Sequence, residues 1–235
     1  MPAITYPRLL LTVEDVTSFW GPRRARLASV RMKALLSDLL ERIEAGHWIE
    51  PRIGFQVWPV VGRGQEWLDL RGGARISSPM LGHHLPGATH VAAGVCTIGD
   101  AVEKHASEGF AASDRLPAVL LDDIGTLALF RLADQLEELM QAEAAQYGLE
   151  AGGVLNPGED GFQISQQAVV VELAGGTNLG VSQTATGMLV PRKSLSMVVG
   201  FGARMPKWSR GERCERCGAR ERCPHRRSRM VEVAM

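Results

Sequence analysis

Three of the four cysteines stand close together near the C-terminus, as Cys214-x2-Cys217-x5-Cys223 followed by Pro224 and His225. Thiolates at short fixed spacings can converge on one soft metal centre while the intervening chain folds around it. Two metals compete for such a set. Zinc takes four nitrogen or sulfur ligands, and His225 is available as the fourth. An iron–sulfur cluster prefers thiolates, and three cysteines leave one iron open unless Cys96 or a partner supplies another. A reduced tail without metal is the remaining alternative. Cys96 itself lies in an apolar run, where a lone cysteine is ordinarily a small hydrophobe.

Ten Lys and Arg but only Glu212, Glu215 and Glu221 fall between Arg204 and Arg229, so this segment is +7 in a chain that is neutral overall. The excess can offset a thiolate cluster, dock on an acidic partner surface or meet nucleic-acid phosphates. Trp208 is the one aromatic interleaved with these charges, so a base-stacking platform is lacking and nucleic acid is disfavoured. A solvated basic tail is the plain alternative.

Two loops carry further chemistry. Asn156-Pro157-Gly158-Glu159-Asp160-Gly161 follows a strand-like run and leads into a helix. Backbone amides at a helix start can hold an anion or carboxylate, although the composition is equally that of a structural turn. Thr186-Gly187-Met188-Leu189-Val190-Pro191-Arg192-Lys193-Ser194 either lines a ligand site or closes a hairpin. No GxxxxGK[ST], GxSxG or HExxH motif is present. Of the six histidines, His225 alone has metal-ligand spacing; His105 reads as exposed on a helix, and His83-His84 lie near a loop. Asp122-Asp123 are placed near the start of a long helix, where acids are stabilised by its dipole.

These residues must be positioned by the rest of a 235-residue chain that is 45% hydrophobic and 6% aromatic. That is a globular profile with room for one large domain or two small ones. No apolar run approaches the roughly 18 residues of a membrane span. The N-terminus lacks the basic-then-apolar layout of a secretory signal. A cytoplasmic protein without membrane contact is expected, and in that compartment clustered cysteines suggest metal more than disulfide.

Helical spacing is clear at Leu36, Leu39, Leu40 and Ile43, which predicts a helix over about 22–45 capped by Gly46. Leu129, Leu132, Leu136, Leu139, Met140, Ala144 and Tyr147 predict another over about 118–147. Shorter helices are expected around 78–85 and 163–173, and one opened by a near capping box at Thr97 and Asp100. Runs rich in β-branched residues at 52–61, 88–96 and 195–202 read as strands. Strands and helices do not alternate regularly, which favours an α+β layer over a doubly wound sheet. After Ala203 the apolar pattern stops. The expected division is therefore residues 1–203 as one α+β domain and 204–235 as a basic, Cys-rich, metal-binding tail.

Three segments in this order resemble a known family: AAGVCTIGDAVEKHASEGFAASDRLPAVLLDDIGTLALFRLADQLEEL, LNPGEDGFQISQQAVVVEL and QTATGMLVPRKSLSMVVGFG. Together they are similar to the C-terminal reactivation (activation) domain of cobalamin-dependent methionine synthase, in a stand-alone form with an added Cys cluster. The resemblance covers about residues 50–203, with a weaker match before. It implies a twisted antiparallel sheet with packed helices. It also implies a role in reductive reactivation of a corrinoid methyltransferase. The domain docks over the corrin, presents S-adenosylmethionine, and an electron from a reduced donor protein drives the methyl group back onto cobalt.

By the same resemblance, Asn156, Pro157, Gly158 and Glu159 correspond to the adenosylmethionine loop. Met188, Pro191 and Ser194, with Lys193 between them, correspond to the cobalamin-facing segment. The family loop carries an Arg three residues before Pro-Gly-Tyr; here those flanking positions are Val154 and Glu159. The cation and the aromatic platform are thus replaced, and a carboxylate at Glu159 would repel the ligand's carboxylate while attracting its sulfonium. The tail is not part of the family domain. An iron–sulfur cluster on Cys214, Cys217 and Cys223 would supply the low potential that cobalt reduction demands. The alternatives are a non-catalytic corrinoid-protein adaptor with a structural zinc knuckle, and a domain repurposed for a small ligand or nucleic acid.

Overall fold

The computed structural model describes residues 2–159, 161–208, 210–216 and 221. In chain order the described elements are β1 (Ala3–Thr5), α1 (Val13–Phe19), α2 (Gly21–Ala25), α3 (Val30–Ala45), β2 (Arg52–Arg63), β3 (Trp67–Leu70) and β4 (Arg75–Ser77). There follow α4 (Leu81–His84), β5 (His90–Thr97), α5 (Ala101–Ala111), α6 (Arg115–Gln146), β6 (Glu150–Ala151) and α7 (Gln167–Leu173). The chain then forms β7 (Ser182–Gln183), β8 (Leu189–Val190), β9 (Ser194–Gly202) and α8 (Arg210–Arg216).

The three long strands form the centre. β5 pairs antiparallel with β2 from Arg52↔Thr97 to Pro59↔His90, and with β9 from His90↔Phe201 to Thr97↔Ser194. The sheet order is β4-β3-β2-β5-β9-β6, with β1 beside β2, and every pairing is antiparallel. This is the expected α+β class.

Residue alternation assigns the two faces. Ile53, Phe55, Ala92, Cys96, Met197, Val199 and Phe201 face α6. Val91, Ala93, Val95 and Val198 face α7 and the segments around it. Gly94 lies on the α6 face, where an added Cβ would come within 2.2 Å of Met140 Cε. The missing side chain is what lets this helix lie close against the middle of the sheet.

α6 spans 32 residues, or ~48 Å at 1.5 Å per residue. Its C-terminal half buries Leu129, Leu132, Leu136, Met140 and Ala144 against the sheet, while Leu139 and Tyr147 of the predicted stripe are exposed. Its N-terminal half buries Leu120, Leu121, Ile124 and Leu127 against Val16, Trp20, Leu36, Leu39 and Ile43 of the first three helices.

Several local expectations are corrected. The helix expected over 22–45 is two: α2 ends at Ala25, and α3 begins after Ser29, whose side chain accepts from the Met32 N–H. α1 was not anticipated, although Thr12 and Asp15 form a reciprocal capping box. Thr97 and Asp100 form none. Thr97 ends β5 and its hydroxyl accepts from the Gly99 N–H, so the helix starts later, at Ala101.

Asp122 and Asp123 are not at a helix start, since α6 begins two turns earlier. Asp123 is buried and accepts from Trp20 Nε1 at 2.9 Å and from Arg24 Nη2 at 2.6 Å. It therefore fastens α1 and α2 to the long helix. Asp123→Ala leaves two donors without their acceptor and is expected to cost about 2 kcal/mol. A lowered urea midpoint at unchanged slope is the expected reading; an unmoved midpoint would show that the link contributes nothing.

Candidate functional site

The Asn156 loop leaves the sheet at Leu155, which bridges to Val198 of β9. Asn156 Nδ2 donates to the Ser196 carbonyl at 2.8 Å, pinning the first residue of the loop to the strand. The turn then closes on itself. Gly158 N–H donates to the Phe162 carbonyl at 2.8 Å, Glu159 N–H to Asn156 O at 3.0 Å and Phe162 N–H to Glu159 O at 3.0 Å. Gly158 and Gly161 adopt φ of +95° and +80°, values at which a side chain would be strained. Phe162 is fully buried beneath the turn. The amides of Gly158 and Glu159, expected as anion donors, are thus engaged within the loop. Asp160 lies outside the described residues.

The second loop is a hairpin. β7 and β8 pair through Ser182↔Val190 and Gln183↔Leu189. Thr184 closes the turn, its N–H donating to Met188 O at 2.8 Å and its hydroxyl accepting from Met188 N–H at 3.1 Å.

Ile164 joins the two loops. A Cβ on Gly158 would meet its Cδ1 at 3.4 Å, and one on Gly187 would meet its Cγ1 at 3.0 Å. Ile164 is nevertheless 45% exposed, as are Met188 (58%), Val190 (44%) and Met80 (43%), which abuts Gly161. Met80 and Ile164 thus stand exposed against the loop glycines, and Met188 and Val190 stand exposed on the hairpin. Met80 and Ile164 were not among the sequence candidates, because the contacts that place them are remote in sequence.

The remaining candidates go elsewhere. Pro191, after a cis peptide bond, lines a separate cleft of about 170 Å³ with Trp48, Glu50, Arg52 and Asp100. Lys193 Nζ is bound to α6, at 2.7 Å from both Asp122 Oδ1 and Thr126 Oγ1. Ser194 is buried and its hydroxyl donates to Thr97 Oγ1 at 2.8 Å. The structure thus brings Asn156, Pro157, Gly158, Glu159 and Met188 to one place and uses Lys193 and Ser194 to fasten β9. Val154 is buried and packs on the α6 side.

Among the histidines, His105 is stacked on Trp48 with ring centroids 3.8 Å apart and lies 3.2 Å from Glu108. His84 is buried against Trp208, at 5.5 Å between centroids.

Cys214 lies on α8, half-buried. Cys217, Cys223 and His225 lie outside the described residues. Among the described residues no group of three or more His, Cys, Asp or Glu could hold a metal ion. No described helix is long and apolar enough to cross a membrane.

No protein-family model matches the chain, and no curated protein matches it. Among solved structures, the chain is similar to a crystal structure of the MetH reactivation domain bound to AdoHcy. The TM-score is 0.62 at 15% identity, over 92% of this chain and 84% of that one. The fold is that of the MetH reactivation domain. Both have a curled antiparallel sheet with packed helices.

Cys96 has no exposure and sits in the core between sheet and α6, where burial pushes its thiol up from 9.0 to about 12. Enclosed by apolar side chains, it is held as a neutral thiol. Its high value has a consequence for stability. Above about pH 9 the thiol ionises in the unfolded chain but not in the native one, so stability is lost as pH rises towards about 12. Denaturation between about pH 8 and pH 10.5 should show wild type losing stability relative to Cys96→Ala, approaching about 1.4 kcal/mol per pH unit. Parallel curves would mean that this thiol is not held neutral by the fold.

Proposed function

We propose that the protein is an accessory of a corrinoid-dependent methyltransferase, acting in its reductive reactivation. The reading is carried by the likeness of fold to the MetH reactivation domain across nearly the whole chain. The position of the paired loops supports it. The large apolar side chains of Met80, Ile164, Met188 and Val190, exposed on or against these loops, are of the kind that meet a flat tetrapyrrole.

The chemistry balances with one electron from outside. S-adenosylmethionine held at the Asn156 loop would supply the methyl group and leave as S-adenosylhomocysteine, and a partner's cobalamin, given one electron by a reduced donor protein, would take the methyl group up. This chain's contribution is to hold the methyl donor over the cobalt and to keep water out. With Val154 in place of a cation, binding of the donor's carboxylate is not helped by charge. Glu159 instead favours the sulfonium.

S-adenosylmethionine should therefore bind more tightly than S-adenosylhomocysteine, which lacks the positive sulfur. An exposed charge pair at ~4 Å contributes about 1 kcal/mol, or about fivefold in affinity. Isothermal titration is expected to show that gap, and Glu159→Gln to close it. Absence of heat with either ligand would remove the adenosyl site from the proposal.

The tail is proposed as an electron relay on Cys214, Cys217 and Cys223, with iron–sulfur ligation as the reading and zinc as the competing outcome. Metal analysis and electron paramagnetic resonance of anaerobically purified protein decide it. Iron with a reducible signal is expected. In Cys217→Ala that signal should vanish, together with reduction of Co(II) on a purified cobalamin-binding fragment of methionine synthase, while thermal unfolding stays unchanged. Zinc without iron would point to a non-catalytic adaptor, and loss of folding would show that the tail is needed by the domain.

A further inference from the structure

The chain beyond β9 does not leave the body directly. Met205 is buried against Gly152 and Gly200. The Pro206 carbonyl accepts from the Gly153 N–H at 2.9 Å. The indole of Trp208 lies on Gly153, where a Cβ would come within 2.3 Å of its Cδ2 and Cε2. Its Nε1–H donates to the Val154 carbonyl at 2.9 Å. The strap 152–155 is therefore held by two sets of partners. β9 supplies one set, through Gly152 N–H to Gly200 O at 2.8 Å and Leu155 N–H to Val198 O at 2.9 Å. Residues 205–208 supply the other.

Val154 stands two residues before Asn156. At the other end of the loop, a Cβ on Gly161 would meet His84 Cε1 at 2.9 Å, and the His84 ring lies 5.5 Å from that of Trp208. The indole thus reaches both ends of the 154–161 segment, directly at Val154 and through His84 at Gly161. Two residues after Trp208 begins α8, which carries Cys214.

We infer that Trp208 is a positioning residue that ties the cysteine-bearing tail to the Asn156–Gly161 loop. The inference deepens the proposed function and rests on it for the meaning of the loop as the adenosyl ligand's site. The physical basis is stiffness. A glycine pair at 152–153 has wide conformational freedom, and the ring and its hydrogen bond remove that freedom next to the residues that would touch the ligand. Coupling of this kind is reciprocal, so a seated Trp208 also holds the loop, and a filled loop also holds Trp208.

The test is hydrogen exchange of the full, reduced chain without ligand. Trp208→Ala should speed exchange of the amides at 153–156, 158, 159, 161 and 162 by about fivefold or more, the loss of one hydrogen bond's worth of protection. Exchange in β5 and the middle of β9 should not change. Trp208→Phe keeps a ring on Gly153 but loses the N–H, and should fall between. Gly153→Ala displaces the indole without altering the tail and should reproduce Trp208→Ala, while the double variant adds nothing further. Unchanged loop exchange in Trp208→Ala, a uniform rise through the sheet, or additive effects in the double variant would each overturn the inference. If the pattern holds and neither S-adenosylmethionine nor S-adenosylhomocysteine binds wild type, the adenosyl site falls and the positioning role stands.

Discussion

The structure depends on one strand being buried from its second residue to its last. β5 is paired on both edges, with β2 and with β9, and covered on both faces, by α6 and by the α7 side. Small residues make this feasible. Gly94 admits the Met140 side chain of α6, and Ala92 and Ala93 keep each face shallow enough for a close layer above it. Each large aliphatic or aromatic side chain that this arrangement buries contributes about 1.5–3 kcal/mol. The polar groups admitted to this region are paired, as with the Gln167 Nε2 bond to Ser196 Oγ at 2.6 Å.

The candidate site hangs from that centre. Leu155 and Asn156 are fastened to Val198 and Ser196 of β9, so the first loop takes its position from the strand next to β5. The second loop runs into the start of the same strand, where Lys193 and Ser194 anchor it to α6 and to Thr97. Neither loop is near the other in sequence. They meet because both are tied to β9, and Ile164 fills the space between them. Rigid supports under its loops are what a ligand site requires if its groups are to stay in register.

Lys193 shows how a side chain's position depends on context. A lysine between Pro191 and Ser194 reads as a ligand contact, but its ammonium reaches back to Asp122 and Thr126 on α6. Asp123 is the converse. Two adjacent acids near a helix start suggest a dipole effect, yet Asp123 is an internal acceptor for Trp20 and Arg24, a hundred residues away in sequence. The thiol of Cys96 was legible as a hydrophobe, because an apolar run around a lone cysteine already implies burial.

Sequence by itself determined the α+β class, the three long strands, and the helices that carry strong apolar periodicity. Those signals are local: β-branched runs and i, i+3, i+4 spacing state which face must be buried before any partner is known. It also placed the two loops, since Gly158, Gly161 and Gly187 are written into the chain. Only the tertiary structure decided the edges and the site. β1, β3, β4 and β6 are two to four residues long and exist through pairing, with too few residues to show a period. The meeting of Ile164 with Gly187, and the seat of Trp208 on Gly153, are contacts between distant segments, fixed by how layers pack and not by any local preference.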